Sequence, residues 1–153
     1  RRFAFEAFLP YGKKERAQIL ENLRNETRTI IIYEAPHHLK KTLKECREYL
    51  GNRNMTVCKE LTKRYEQKRK STLDEMIAYY EENEPRGEYV LIFEGKSLQE
   101  LKEEKQQEWN QLTVQEHMEH YLEKGMDKKS AMKQVAKDRG VSKRDIYQEL
   151  LKE

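Results

Sequence analysis

The stretch Arg28-Thr-Ile-Ile-Ile-Tyr-Glu-Ala-Pro-His-His-Leu-Lys-Lys-Thr-Leu43 decides the fold of this chain. Its β-branched block, Thr29 to Ile32, predicts a buried strand, because Ile and Thr fit a pleated surface that is covered on both faces. Pro36 ends the strand, since it lacks an amide hydrogen and its fixed φ suits the first turn of a helix. The polar residues from Tyr33 to His38 form a candidate site, because open α/β sheets bind ligands at the carboxyl ends of such strands.

Strand-like and helix-like segments alternate from the first residue to Gly95. This alternation predicts an α/β fold, a mixed sheet with flanking helices, rather than a helix bundle. Apolar spacing and turn residues place the helices at about 13–25, 36–50 and 72–82, and the strands at about 1–10, 29–33, 54–61 and 88–93.

The character of the chain changes after Gly95, where charge and glutamine dominate. We therefore divide the sequence into an α/β lobe at 1–97, a polar linker helix at 98–112 and a small helical region at 113–153. Thr113 and Glu116 match a capping box at the start of that region, and Asp127 and Ser142 are expected to cap two further helices.

Composition excludes several classes of protein. Charged residues make up 39% of the chain but the net charge is only +3, which does not by itself argue for nucleic-acid binding. Cys46 and Cys58 lack CxxC spacing and a secretory leader, which indicates reduced thiols in the cytoplasm. No apolar run approaches the roughly 20 residues that span a bilayer, so no membrane partner is expected.

The usual signatures of self-contained enzyme chemistry are absent from the sequence. The six glycines never cluster, so there is no GxGxxG motif or P-loop to hold phosphates. His117 and His120 lie three residues apart on a charged helix, which favours a solvated face over a metal site, and we expect no metal. The chain also begins inside a strand-like run without an initiator methionine, so we interpret it as a fragment of a longer protein.

Three strand ends carry the remaining candidate chemistry: Phe8-Leu-Pro10, Tyr33-Glu-Ala-Pro-His37 and Lys59-Glu-Leu-Thr-Lys63. In a parallel or mixed sheet these tips can lie side by side. One end of the sheet would then carry the side chains of Glu34, Glu60, Thr62 and Lys63. The alternative, that these residues only form caps and salt bridges, stays open from the sequence alone.

The last forty residues have the spacing of a helix-turn-helix. Small residues, the Gly140-Val141-Ser142 turn and Ile146 follow each other as that motif requires. The cations that flank the turn are expected to meet phosphates; they are Lys137, Arg139, Lys143 and Arg144. A helical docking module with a solvated basic face is an equally good interpretation of the same pattern.

Four ordered motifs resemble one known family. Phe3-x-Phe5-Glu-Ala-Phe-Leu-Pro10, Thr29-Ile-Ile-Ile-Tyr-Glu-Ala-Pro-His37, Lys59-Glu-Leu-Thr-Lys63 and Gly87-Glu-Tyr-Val-Leu91 are similar to the ribosomal RNA small subunit methyltransferase I family. This family belongs to the tetrapyrrole methylase superfamily, the class III S-adenosylmethionine-dependent methyltransferases. The motifs cover residues 1–97, and the tail resembles the helix-turn-helix domain that ends members of the family.

The resemblance implies an enzyme that methylates the 2′-hydroxyl of a cytidine in small-subunit ribosomal RNA. The cofactor, S-adenosyl-L-methionine, would lie between two α/β lobes, and members are usually homodimers. Expected partners are therefore ribosomal RNA or a 30S-type particle and a second copy of the chain. This chain resembles the carboxy-terminal lobe, and the glycine-rich amino-terminal lobe has no counterpart. We therefore expect the fragment alone to be inactive.

The resemblance also implies roles for individual residues. Two candidates for a general base in the transfer are Glu34 and Glu60. Ala7 stands where the family commonly has Gly, His38 stands where Arg is frequent, and Lys59 also replaces an Arg, so a bidentate phosphate contact is in doubt there. The expected cofactor-binding residues are Tyr33, Glu34, Leu61, Thr62, Gly87 and Glu88.

Two other functions stay open at this point. The chain could be a non-enzymatic nucleic-acid-binding or dimerisation module, in which the helix-turn-helix recognises nucleic acid. A tetrapyrrole methylase is a further alternative within the superfamily, which the helical tail and the Tyr-Glu-Ala-Pro-His motif disfavour.

Overall fold

The computed structural model describes residues 2–152 and divides the chain into two compact units. The first unit extends to Ser97 and the second begins at Leu98. The first unit contains β1 (Phe3–Phe8), α1 (Lys13–Leu23), β2 (Thr29–Glu34), α2 (Pro36–Leu50), β3 (Asn54–Lys59), β4 (Gln67–Thr72), α3 (Leu73–Glu82) and β5 (Tyr89–Phe93). The second unit contains α4 (Leu98–Asn110), α5 (Val114–Glu123), α6 (Lys128–Arg139) and α7 (Lys143–Leu150).

The sheet of the first unit is mixed and has the order β1-β2-β5-β3-β4. β1 pairs with β2 in parallel, while β5 runs antiparallel to both of its neighbours, β2 and β3. β2 and β3 consequently point in the same direction. The predicted α/β fold with a mixed sheet is confirmed.

The helices pack on one face of this sheet. Alternate residues of the central strands, such as Ile32 and Leu91, are completely buried and belong to one cluster with Leu39 and Leu43 of α2. Burying each such side chain contributes about 1.5–3 kcal/mol. Ile31 and Tyr33 point to the other face and are partly exposed, so the prediction that β2 is covered on both faces was wrong.

The edge strand β4 was not predicted from the sequence. Its sequence, Gln-Lys-Arg-Lys-Ser-Thr, has no apolar residue, so the alternation of apolar and polar residues that indicates a strand is absent. β4 pairs with β3 over six residues. Charged side chains on an edge strand prevent pairing with further chains, which is why this strand can be so polar.

Both cysteines of the unit are buried free thiols.

The second unit is a small helical domain with its own core. Val114, Ala131, Val135 and Ile146 are almost completely buried in it. The predicted caps form: Thr113 and Ser142 make capping boxes, and Asp127 accepts from two backbone amides. Because each cap satisfies amides that the helix leaves unpaired, it contributes about 1 kcal/mol.

The helix that we expected to be a linker packs within the second unit. Nε2 of Gln106 donates to the carbonyl oxygen of Arg139, and the ring of Trp109 stacks on His117 with centroids 4.0 Å apart. A side chain at Gly140, which has a φ of +67°, would meet the amide nitrogen of Gln106 at 2.7 Å. α4 is therefore part of this domain. Within residues 2–152, no helix is long and apolar enough to cross a membrane.

Candidate functional site

The carboxyl ends of three strands meet at one edge of the sheet. The register aligns Glu34 at the end of β2 with Tyr89 at the start of β5, and Tyr89 with Lys59 at the end of β3. Phe8, at the end of β1, aligns with Tyr33. The prediction that these tips share an edge is confirmed, with β5 between β2 and β3. We call this edge the rim and define it by Tyr33, Glu34, Glu60, Leu61, Thr62, Gly87 and Glu88.

Tyr33 lies on the open face of the sheet among aromatic rings. Its side chain is 39% exposed and contacts Phe5 and Phe8 edge-on, with ring centroids 5.0 Å and 5.7 Å away. Phe5 and Phe8 reach the same ring because β1 has an irregularity: Phe5 pairs with Ile31 but Ala7 pairs with Ile32. The extra residue between them shifts the alternation by one. The result is an exposed aromatic surface at the end of β1.

Glu34, by contrast, is buried and only 5% exposed. One carboxylate oxygen accepts a 2.8 Å hydrogen bond from the amide of Ala35, and the other accepts from the hydroxyl of Thr42 at 2.5 Å. The guanidinium of Arg16 lies 3.8 Å from that oxygen and also donates to Thr42 and Glu45. The carboxylate is thus held on three sides by α1, α2 and its own backbone.

A small cavity lies beside Glu34. Its volume is about 150 Å³, and its lining includes Phe8, Tyr11, Arg16 and His38. Pockets that enclose a whole small-molecule ligand usually measure about 300–1000 Å³. This cavity can therefore accommodate one portion of a ligand and not the whole of it. His38, the replacement for a frequent Arg, contacts the ring of Tyr11.

Glu60 joins the loop after β3 to the start of β5. Its amide donates to the carbonyl of Glu88 at 2.8 Å, and its own Oε1 accepts from the amide of Glu88 at 2.7 Å. Nζ of Lys63 lies 2.7 Å from Oε2 of Glu88 and 3.4 Å from Oε2 of Glu60. The backbone hydrogen bond from Glu88, followed by the one from Lys63, lowers the pKa of the Glu60 carboxyl. Glu60 is consequently ionised at neutral pH.

The non-glycine residues that adopt left-handed backbone are concentrated at this end of the sheet. In residues 2–152 the non-glycine residues with positive φ are Ala7 (51°), Glu60 (52°) and Thr62 (65°), and Gly87 has a φ of +86°. Such conformations cost about 1–2 kcal/mol in residues with a Cβ, and they cluster where function requires them. Sequence reasoning missed this strain. The one clue was Ala7, since the resemblance implies that Gly is common at this position.

The rim offers two kinds of contact to a ligand. Leu61 and Tyr33 present exposed apolar surface, and Thr62 presents a hydroxyl, with its amide held by Oε2 of Glu66 at 2.7 Å. Exposed apolar surface next to hydrogen-bonding groups suits a ligand that has both an apolar face and polar substituents. Residues 2–152 contain no group of three metal-binding side chains.

The cations expected to bind RNA do not share one environment. Lys137, Lys143 and Arg144 are exposed on α6 and α7. Arg139 instead points into its own domain, where its guanidinium donates to the carbonyls of Trp109, Leu112 and Thr113 and to Nδ1 of His117; these bonds are 2.5–3.1 Å long. This geometry assigns Arg139 to the structure of the domain rather than to its surface.

The prediction that His117 lies on a solvated face was wrong, because this residue is part of the core of the helical unit. Its ring is completely buried, and Nε2 lies 3.2 Å from Oδ2 of Asp138 while Nδ1 accepts from Arg139. Tyr121 and Gln134 donate to the same Asp138 carboxylate. Burial lowers the pKa of His117 below its ordinary value. The hydrogen bonds therefore describe a neutral ring that donates through Nε2.

Comparison with known proteins gives a consistent result. No protein family model matches the chain. Ribosomal RNA small subunit methyltransferase I of Bacillus subtilis (strain 168) is 46% identical over 145 residues, which are 95% of this chain and 49% of that protein. The protein of the same name from Halalkalibacterium halodurans is also 46% identical, over 95% of this chain and 50% of that protein. The one from Synechocystis is 37% identical, over 96% and 51% respectively.

The chain belongs to the ribosomal RNA small subunit methyltransferase I family. The 145 aligned residues exceed the first unit, which ends at Ser97, so the likeness to these methyltransferases extends into the helical unit. The chain spans about half the length of the relatives that it matches.

Proposed function

We propose that this chain is the carboxy-terminal half of an S-adenosylmethionine-dependent methyltransferase that modifies small-subunit ribosomal RNA. The observation that carries the proposal is the rim, where three of the four resembling motifs meet at one end of the sheet and the first motif lies beside them through the pairing of Phe8 with Tyr33. The names of the relatives, and the half of their length that the chain spans, support the same assignment. Within this proposal the acceptor is the 2′-hydroxyl of a cytidine, and the amino-terminal lobe completes the cofactor cleft.

The rim residues would divide the work of holding the cofactor. Tyr33 and Leu61 provide apolar surface for the base, and Thr62 provides a hydroxyl. Gly87 and Glu88 would border the cofactor just before β5, where the carboxylate of Glu60 fills the space beside Gly87 and fixes the backbone of Glu88.

Both candidate bases are better suited to positioning. Glu34 already accepts two hydrogen bonds and lies beside Arg16. Glu60 has a lowered pKa, and a carboxylate of low pKa is a poor proton acceptor at neutral pH. We therefore propose that Glu34 and Glu60 hold the rim in shape, and that a general base, if the reaction uses one, is not supplied by either.

S-Adenosylmethionine supplies an electrophilic methyl group on a sulfonium. The protein must orient the ribose oxygen in line with that methyl group and exclude competing water. Orientation of this kind supplies a large part of the rate enhancement in transfers between two bound substrates. A rim that is rigid because of its strained backbone and its paired carboxylates suits this task.

We propose that the helical unit meets the ribosomal RNA or a 30S-type particle through Lys137, Lys143 and Arg144. Exposed cations beside a helix-turn-helix contact phosphates without reading sequence. Association of the complete protein as a homodimer, expected from the resemblance, remains a prediction for sedimentation measurements.

Calorimetry of the complete protein with S-adenosylmethionine tests the rim. We expect Thr62→Ala and Tyr33→Ala to weaken binding, while Tyr65→Ala, an exposed aromatic residue outside the rim, serves as the control. Transfer of a labelled methyl group to undermethylated small subunits tests the reaction. If both rim variants bind S-adenosylmethionine with unchanged affinity, the rim is not the cofactor site. RNA binding without any methyl transfer by the complete protein would favour the non-enzymatic module instead.

A further inference from the structure

The positive charge of the first unit is concentrated in one short segment. Residues 63–70, Lys-Arg-Tyr-Glu-Gln-Lys-Arg-Lys, carry five cations and one carboxylate, a net charge of +4, whereas the whole chain has only +3. The rest of the chain is therefore slightly negative. This segment follows the rim residue Thr62 directly and includes most of strand β4.

The segment forms the exposed side of a hairpin with β3. Residues 67–70 are all exposed and lie at the edge of the sheet. Their side chains alternate: Arg69 pairs with Val57 and shares its face, while Lys70 pairs with Thr56 on the opposite face. The hairpin consequently presents cations on both faces of the edge.

Part of this charge has no carboxylate partner. Lys63 pairs with Glu88, and Lys68 pairs with Glu66 at 2.7 Å. Within residues 2–152, no ion pair neutralises Arg64, Arg69 or Lys70; the first two guanidinium groups lie over tyrosine rings, Arg64 over Tyr65 and Arg69 over Tyr79. Guanidinium groups stacked in this way keep their donors available and present a flat face to a partner.

A cavity lies between this hairpin and α3. Its volume is about 390 Å³, and Lys59, Gln67, Arg69 and Tyr79 line it. Lys59 is the last residue of β3 and directly precedes Glu60 of the rim. The size is in the range of pockets that hold a small ligand, about 300–1000 Å³. The whole lining contains three cations, one amide and two aromatic rings, which are groups that hold a nucleotide by its phosphate and base.

We infer that the β3–β4 hairpin binds a single-stranded segment of the substrate RNA, with one nucleotide in this cavity next to the methylated residue. The inference rests on the proposed function, because the rim would place the methyl group. Charge that only protected an edge strand would not need a cavity lined by the same residues. An acidic protein would also be attracted to the cations, but it has no bases to stack on Arg69 and Tyr79.

The binding of a labelled single-stranded RNA of about 12 nucleotides to the 153-residue chain tests the inference. Fluorescence anisotropy is measured at several salt concentrations without cofactor, so that the result does not depend on the cofactor cleft. For the triple variant Arg64→Gln, Arg69→Gln, Lys70→Gln we expect affinity to fall at least about tenfold. The slope of log affinity against log salt should fall by about 2, since each lost phosphate contact removes about 0.7.

Three controls make the outcome specific. The variant Arg64→Lys, Arg69→Lys retains the charge but loses both flat guanidinium faces, so it should keep the salt dependence of the unmodified chain and lose only part of the affinity. Lys102→Gln, Lys105→Gln, Lys152→Gln removes the same charge from the helical unit and should change affinity by no more than about twofold. Circular dichroism confirms that each variant is folded. Equal losses in the two triple variants would overturn the inference, as would displacement of the RNA by poly-glutamate at an equal concentration of charge. The calorimetric test of the rim is independent of all of these results.

Discussion

The carboxylate of Glu60 occupies the space that a side chain at position 87 would fill. A Cβ placed on Gly87 would lie 2.5 Å from Oε1 of Glu60, and the same oxygen accepts the amide of Glu88. The two residues come from different loops. This contact ties the end of β3 to the start of β5 and explains why position 87 needs glycine, which also has a φ of +86° there.

Replacing Gly87 should therefore be costly. We expect Gly87→Ala to lower the free energy of unfolding by about 2–4 kcal/mol, because it adds left-handed strain to an overpacked contact. Thermal or urea unfolding followed by circular dichroism measures the change. In a Glu60→Ala background the same substitution should cost less, because the clash is gone. An equal cost in both backgrounds would show that Glu60 does not fill this space.

Relief of strain at Ala7 should stabilise the first unit. Ala7 has a φ of 51°, which glycine adopts without a steric penalty. We expect Ala7→Gly to raise the free energy of unfolding by up to about 1 kcal/mol, after the entropy that glycine adds to the unfolded chain. Ala4→Gly is the matched control, since Ala4 is buried in the same strand without positive φ, and it should destabilise. A loss of stability in Ala7→Gly would contradict the strained backbone.

The helical unit should lose stability in mild acid because of His117. Burial lowers the pKa of this ring in the folded state, whereas in the unfolded chain it returns to about 6.5. Below that pH the unfolded chain binds a proton at His117, whereas the folded domain does not. The free energy of unfolding therefore falls as pH falls, by at most about 1.4 kcal/mol per pH unit. Trp109, the one tryptophan of the chain, stacks on the ring and reports the transition by fluorescence.

Two variants separate His117 from other titrating groups. His117→Gln should make the free energy of unfolding less dependent on pH between the pKa values of His117 in the folded and unfolded states. The same variant should lower stability at neutral pH. His120→Gln, one turn away on the same helix, should leave the dependence intact. A pH profile that is identical in wild type and His117→Gln would assign the effect to other residues.

Arg139 and Lys143 should behave differently although both are cations near the turn. Arg139→Gln removes hydrogen bonds to three carbonyls and to His117, and should cost the helical unit about 2–3 kcal/mol. Lys143→Gln removes an exposed charge and should change stability by less than about 0.5 kcal/mol. Chemical unfolding followed by Trp109 fluorescence compares them. Similar unfolding midpoints for the two variants would show that the hydrogen bonds from Arg139 to the carbonyls do not stabilise the helical unit.

The sequence predicted the elements whose signals lie within a few residues. The β-branched block before Pro36, the capping box at Thr113, the cap at Ser142 and the apolar spacing of α2 all appear in the structure. The strand β4 gave no such signal, because it is stabilised by pairing with β3 rather than by apolar residues of its own. Arg139 resembled its exposed neighbours in the sequence for a similar reason: its partners come from residues 109–117.

By itself, the sequence determined the class of fold, the family and the strand ends that make up the candidate site, since these follow from local patterns and ordered motifs. Only the tertiary structure decided which side chains at those ends are available to a ligand. Glu34 is enclosed by Arg16 and Thr42, and Glu60 is bound to Glu88, 28 residues further along the chain. Burial and pairing depend on contacts between distant segments, and packing of the whole unit sets those contacts.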